Sequence, residues 1–399
     1  VLLPALAAKF NLTFLAQRWS NSCKFMELIE RKPMISQAEY ATKLRPFLPP
    51  EAFQPDRSKL WVLIINLIIL ILGWAIAVHL DQWPVYLLWL YLPFAILMGN
   101  SVIALLFSCH DLMHGSVIRN SRISQVFSLL GLAMLWMPPT LWKTVHNKVH
   151  HNQTNSFTDP DRNYLYQQPN TWGKWIQHCF APSNEVSPIG LVLGMPTAWG
   201  IYTFRNQTSV LLFNRDSVDY VPAAFTVSPK TRWTIAGELL IITLMHIGIL
   251  AYLNFHPLKL ALGYFLPIGL GYAGIIFYVY TNHMLCRMTA INDPLLNSVS
   301  IRVPKLFDCL HLNFSYHAEH HLFPGINSDY YPIVQDLVRL HYPDRSGYVL
   351  EAKVAWQLLL NTPRHYLDET TFTSWSGEQS VPCPLSDSHQ PDSHQQPPA

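Results

Sequence analysis

Three histidine clusters in this chain have metal-ligand spacing: His110-Asp111-Leu112-Met113-His114, His146-Asn147-Lys148-Val149-His150-His151, and His317-Ala318-Glu319-His320-His321. Residues four apart share one face of an α-helix, while neighbours diverge by about 100°, so a pair such as His150 and His151 can serve two ions at once. Neutral imidazole suits iron, zinc or copper, and eight or more histidines without a thiolate resemble neither a structural zinc site nor an iron–sulfur cluster. Two metals divided among three boxes fit the count. At this histidine content a lone His-x-x-x-His pair is expected about once by chance, so the weight rests on the two three-histidine boxes and on their placement. Asp111, Asn147, Asp159, Asp161 and Glu319 are candidates to accept the second ring N–H of a ligand and fix its tautomer. The plainer reading makes them solvated polar residues or turn formers.

Something must bring boxes this far apart together, and hydropathy says what. Residues 60–80 contain no Asp, Glu, Lys or Arg, and at 1.5 Å per residue they reach roughly the 30 Å of a hydrocarbon core. A polar turn at 81–83 leads to a second apolar run, 84–107, that returns just before His110. The arrangement recurs at 233–253, broken only by Glu238 and His246, and at 260–280. The fold expected is therefore an all-α membrane protein: four transmembrane helices in two hairpins, with a helical cap. Residues 126–141 and 188–204 are apolar but short or interrupted by Pro or Gly, and read as interfacial or re-entrant.

Of the 27 Lys and Arg residues, 9 precede residue 60, 10 lie between 108 and 232, and 7 follow 282. The positive-inside rule then places both termini and all three boxes in the cytosol. The expected divisions are a cytosolic N-terminal segment (1–59), a first hairpin (60–107), a cytosolic and interfacial segment with boxes 1 and 2 (108–232), a second hairpin (233–282), a segment with box 3 (283–367), and a disordered, dispensable tail (368–399) ending in a short Ser-His-Gln-Pro repeat. The four Asn-x-Ser/Thr sites, at Asn11, Asn152, Asn206 and Asn313, should then escape glycosylation.

Composition removes other classes. Half the residues are hydrophobic, 13% are charged and the net charge is +2, with no basic stripe, so nucleic acid is not a partner. Six scattered cysteines form no C-x-x-C pair, which argues against a disulfide framework and for a reducing compartment. The apolar start, 1–8, lacks the basic flank of a secretory signal, and the first residue is not Met. A metal-ion transporter would hold its ligands near mid-span, whereas these boxes lie outside the spans; a zinc hydrolase would need an H-E-x-x-H helix, which is absent.

The boxes, their order and their place after paired spans resemble the membrane fatty-acid desaturase and hydroxylase superfamily over roughly residues 60–345. More specific matches are Trp142-x-x-x-His146-Asn147-x-x-His150-His151, then Thr154-Asn155, Asp159-Pro160-Asp161, and Asn313-x-x-x-His317-Ala318-Glu319-His320-His321-Leu322-Phe323-Pro324. The resemblance implies two non-haem ferrous ions and a further ligand beyond the last span, at His283 in Tyr280-Thr281-Asn282-His283. A capping or headgroup-level histidine is the alternative there, and His311 is the rival ligand. It also implies O2-dependent removal of hydrogens from a methylene of a lipid acyl substrate, with hydroxylation as the sister outcome; carotenoid or sphingolipid hydroxylases and ketolases share the boxes. His317 stands where front-end desaturases with a fused cytochrome carry Gln, and no His-Pro-Gly-Gly haem motif occurs, so electrons are expected from a separate ferredoxin or cytochrome b5. His79, His246 and His256 read as interfacial or core histidines; His178, His341, His365, His389 and His394 receive no role. Trp136, Trp142 and Trp172 read first as interfacial anchors and second as substrate contacts.

Overall fold

A computed structural model describes residues 33–167, 172–214 and 225–385. The expectations for 1–32 and 386–399, among them Asn11, Cys23, His389, His394 and the terminal repeat, and for the Trp172 side chain, lie outside the described residues.

The chain is an all-α membrane protein, and among the described residues four helices are long and apolar enough to cross a bilayer: Arg57–Gln82, Val85–His114, Pro229–Tyr252 and Pro257–His283. The second and fourth spans form the central pair. Their contact is set by small residues: a Cβ on Gly99 would come within 2.8 Å of Leu270 Cβ, and one on Gly271 within 2.6 Å of Val102 Cβ. Close backbone approach of this kind replaces the hydrophobic drive that lipid cannot supply. It has a functional consequence, because the second span runs unbroken to His114 and the fourth to His283. The first box therefore rides on the last turns of a span rather than on the segment after it, and His283 ends the span beside it.

The third span is mostly lipid-facing. Its buried residues, Ile235, Glu238, Ile242 and His246, make one stripe at helical spacing. That stripe faces a sharp corner: helix Ser121–Leu132 continues through 133–135, and the path turns by 95° into 139–153. Trp136 stands at the corner with φ 53°, a left-handed conformation unusual for a bulky residue. The segment 188–204, expected at the interface, is a 21-residue helix, Pro188–Thr208, carrying Pro196 within it.

Above the spans lies a cap with its own core. Tyr40 and Leu44 from helix Gln37–Leu44 pack with Ala318 and Leu322 from the third-box helix and with Val334 and Val338 from helix Tyr331–His341. A buried pair, Arg345 Nη1 to Asp293 Oδ2 at 2.8 Å, ties the connecting segments. The short parallel strands Ser300–Arg302 and Val349–Glu351 pair in register from Ser300 opposite Val349.

The expected disordered tail is corrected over 368–385. Strands His365–Tyr366, Thr371–Thr373 and Ser380–Pro382 form an antiparallel sheet, and Phe372 and Cys383, both 0% exposed, close a small core with Met288 and Tyr366. The alternation Thr371-Phe372-Thr373 is a period-two strand signal that the surrounding Ser, Gln and Pro obscured. Ending the chain at residue 367 strips this core; loss of the Phe372 side chain alone is expected to cost about 3–5 kcal/mol. Thermal unfolding in detergent should show a lower midpoint for that truncation than for one ending at 385. Equal midpoints would return the segment to a dispensable role.

Candidate metal centre

All eight box histidines and His283 are brought into two groups, each with its ligand atoms within 4.8 Å of one another. One holds His110, His114, His146, His151 and His320; the other holds His150, His283, His317 and His321. Two nitrogens on opposite sides of one ion stand about 4.2 Å apart, twice a metal–nitrogen bond of about 2.1 Å, so both groups have the right span for one ion each. His311 belongs to neither. It receives a hydrogen bond from the Tyr278 hydroxyl at 3.0 Å, and its Nε2 lies 3.1 Å from Asn100 Oδ1.

Helical winding sorts the ligands. His110 and His114, four apart on an α-helix, share a group, as do His317 and His321; the adjacent pairs His150/His151 and His320/His321 divide between the two. The second box departs from the α-helical expectation: His146 joins the first group and His150 the second, although the two also come within 4.8 Å of each other and of Asp161. Lys143–His150 is π-helical, with hydrogen bonds reaching five residues, and this wider winding brings His146 and His151 together, Nε2 to Nε2 at 3.1 Å.

The ring nitrogens fit a bound cation. His150 Nδ1 lies 3.0 Å from Asp159 Oδ2, and His283 Nδ1 lies 3.2 Å from the Asn297 carbonyl; both rings therefore donate outward. Their Nε2 lone pairs face each other at 3.2 Å, and His317 Nε2 approaches His283 Nε2 at 2.7 Å. Thr154 Oγ1 already donates to the His150 carbonyl, so it accepts from His321 Nδ1 and leaves that ring's Nε2 bare as well. His150, His283 and His321 thus turn acceptor nitrogens toward one point, where His317 Nε2 also stands, an arrangement that suits a cation. In the first group, His110 Nε2 and His114 Nε2 are buried without a hydrogen-bond partner among the described residues. Burial first, and neighbouring imidazoles second, hold His151, His317, His320 and His321 well below the usual histidine pKa, in the neutral, ligating form.

The expected outer partners divide. Asp159 accepts from His150 and from the backbone N–H groups of Asn155 and Asp161 at 2.7 and 2.9 Å. Burial works against ionising Asp159, but His150 beside it carries its pKa downward overall. Asp161 Oδ2 stands 3.8 Å from the same His150 nitrogen. Asp111 lies 3.3 Å from His110 Nδ1 and accepts from Ser328 Oγ at 2.9 Å. Two expectations are corrected. Asn147 meets no ligand ring: its amide donates to the Met113 carbonyl at 3.2 Å, strapping the second box to the first. Glu319 points away from the centre and accepts from Ser300, Gln335 and Tyr348 at 2.5–2.9 Å, fixing the third-box helix instead. Both residues sit beside ligands in sequence, where helical winding turns them onto other faces.

Sequence reading missed the residue that holds the second box from below. Glu238, the one acid in the third span's apolar run, accepts from Thr140 N at 3.0 Å, Thr140 Oγ1 at 2.6 Å and Gln125 Nε2 at 2.5 Å. Thr140 opens the helix that continues into the π-helical box. Its isolation in an apolar span was the available signal. Glu238→Ala strands these donors, each at about 1–3 kcal/mol, and is expected to loosen the second box and lower metal affinity severalfold. Chelator competition on purified protein measures this, with Glu238→Gln recovering part of the loss. Affinity unchanged in Glu238→Ala would separate the clamp from the centre.

Of the tryptophans read as anchors, Trp136 stacks on His246 with centroids 4.0 Å apart, and Trp142 is buried with its ring 5.3 Å from that of His146. His246 is a hydrogen-bonded core histidine, held between the Ala133 carbonyl and the Tyr264 hydroxyl. Trp142 lines a cavity that runs from the histidines His110, His150, His283 and His317 between the second span, the fourth span and helix Pro188–Thr208. Toward the membrane its wall is apolar, with Leu106, Ala198, Trp199 and Ile276. Beside the histidines it is polar, with Asp161, Tyr164, Tyr202, Arg205 and Tyr280.

Residues 87–351 match the family model described as fatty acid desaturase. No curated protein matches the chain.

Proposed function

Since the chain belongs to the fatty acid desaturase family, we propose that it is an oxidoreductase that introduces a double bond into a lipid acyl chain, using O2 and electrons from a separate ferredoxin or cytochrome b5. The observation that carries this reading is the abutment of a five- and a four-histidine group on a cavity whose far wall is apolar. Two iron ions are the metals proposed. His110, His114, His146, His151 and His320 would hold one, and His150, His283, His317 and His321 the other. Imidazole-bound iron supplies O2 activation and the oxidising power to break an unactivated C–H bond.

The chain's own residues do the rest. Leu106, Ala198, Trp199 and Ile276 offer an acyl chain an apolar path, and van der Waals confinement there holds a methylene beside the histidines. Burial of the ligand rings keeps bulk water from the centre. Asp159, the Asn297 carbonyl and Thr154 each keep the ring N–H on the outward nitrogen of a ligand, so that the inward nitrogen is free for metal.

Expression in a host with defined acyl lipids, followed by mass spectrometry of lipids and pigments, tests the function. The expected result is a new double bond that disappears with His150→Ala. A hydroxylated or ketone product would move the chain to the hydroxylase side of the superfamily, and an unchanged lipid and pigment profile would remove the proposal. The proposed orientation, boxes and both termini cytosolic, is tested at Asn152: its glycosylation in a eukaryotic host would invert the topology.

A further inference from the structure

We propose that the polar end of the cavity binds an oxygen-bearing group of the substrate on Arg205, with Tyr164 and Tyr280 beside it, so that the oxidised carbon is counted from that group and not from the methyl terminus. The inference rests on the acyl-chain reading above and adds to it the element that sets position.

Arg205 lies near the end of helix Pro188–Thr208 and borders the cavity. Its Nη1 donates to the Tyr164 hydroxyl at 2.5 Å and its Nη2 to the Pro160 carbonyl at 3.1 Å, which fixes the guanidinium plane. Its Nε is buried and has no hydrogen-bond partner among the described residues. Tyr280, from the fourth span, sits close to both Arg205 and Tyr164. A held guanidinium with its buried Nε N–H unpaired, flanked by phenols, suits a carbonyl, carboxylate or hydroxyl oxygen. An alkane chain would leave the donor desolvated and unpaired.

Placement gives the consequence. From Trp199 to Arg205 the helix advances six residues, about 9 Å, and from Ile276 to His283 the fourth span advances seven, about 10 Å. The apolar wall and the polar wall thus lie about two helical turns apart, and the histidines stand at the polar wall: Asp161, bordering the same end, is 3.8 Å from His150. A substrate anchored at Arg205 presents its head-proximal carbons to the centre and sends the remainder of its chain toward Leu106 and Ala198.

Saturated acyl lipids with one headgroup and chains differing by two methylenes are supplied to the full-length protein, and double-bond position is read by mass spectrometry. The expected position stays constant from the head. A position constant from the methyl end overturns the inference while leaving the desaturase reading intact. Arg205→Leu is expected to raise KM about tenfold with a smaller change in kcat and to scatter the product position, with partial rescue by Arg205→Lys; unchanged KM and position also overturn it. Binding to metal-free protein supplies the readout that needs no turnover. A long-chain fatty alcohol should bind wild type about tenfold more tightly than the matching alkane, as one charge-assisted hydrogen bond warrants, and the difference should vanish in Arg205→Leu and shrink in Tyr280→Phe. Equal binding of the two probes to wild type sinks the anchor even if no oxidised lipid is ever found, and absence of product with a preserved preference for the alcohol counts against the reaction alone.

Discussion

His283→Ala is expected to abolish product formation and to lower bound iron as far as His150→Ala does, whereas His311→Ala keeps both near wild type. The two histidines compete in sequence, one at the end of an apolar span and the other six residues before the third box. Geometry separates them. His283 Nε2 stands 3.2 Å from His150 Nε2 and 2.7 Å from His317 Nε2, with its Nδ1 committed to the Asn297 carbonyl. His311 spends both nitrogens on Tyr278 and Asn100, and its ring lies against Phe107, which stacks on Phe314. Removing His283 from a four-ligand group leaves three imidazoles and a void, and a site short of a ligand in a buried setting loses the metal before it loses the fold. Metal analysis of the purified variants, with membrane insertion as the control, decides it. Full iron in His283→Ala would break up the second group.

How far the sequence disclosed this centre depends on the range of the forces involved. The spans are composition over about 20 residues, and apolar composition is what a bilayer selects, so all four were legible. The histidine boxes were legible because metal binding demands particular side chains at particular spacings. What the sequence hid is what depends on local winding or on contacts between distant segments. Four-residue spacing gave no reason to place His146 with His151; the π-helical turn brings those two into one group. Proximity in sequence recommended Asn147 and Glu319 as partners of the ligand rings, yet one straps to Met113 and the other to Ser300, Gln335 and Tyr348. Glu238 is about ninety residues from the second box in sequence, its hydrogen bonds reach 98 residues to Thr140 and 113 to Gln125, and only the 95° corner brings them together. Arg205 carried no motif at all. The strands after residue 365 were hidden for the opposite reason: three residues are too few for periodicity to stand out against a polar background.

Asp159→Ala is expected to weaken metal binding by about 10–100-fold, the usual cost of losing the partner that orients a ligating histidine. This carboxylate, 3% exposed, does more than meet His150. It also accepts the backbone N–H groups of Asn155 and Asp161, and Asn155 holds φ at 50° while its amide reaches the carbonyls of His283 and Asn297. One side chain therefore sets the tautomer of His150, shapes the loop that follows the second box and, through Asn155, braces the end of the fourth span. The alanine variant strands three donors together, so the effect should exceed that of a single lost hydrogen bond. Asp159→Asn retains one acceptor oxygen but turns an NH2 group toward donors, and it should fall between wild type and alanine. Chelator competition at fixed pH measures the affinities, and a melting curve of the metal-free proteins isolates the loop's share. If metal-free Asp159→Ala melts lower but binds iron as tightly as wild type, the carboxylate braces the loop alone and His150 needs no orienting partner.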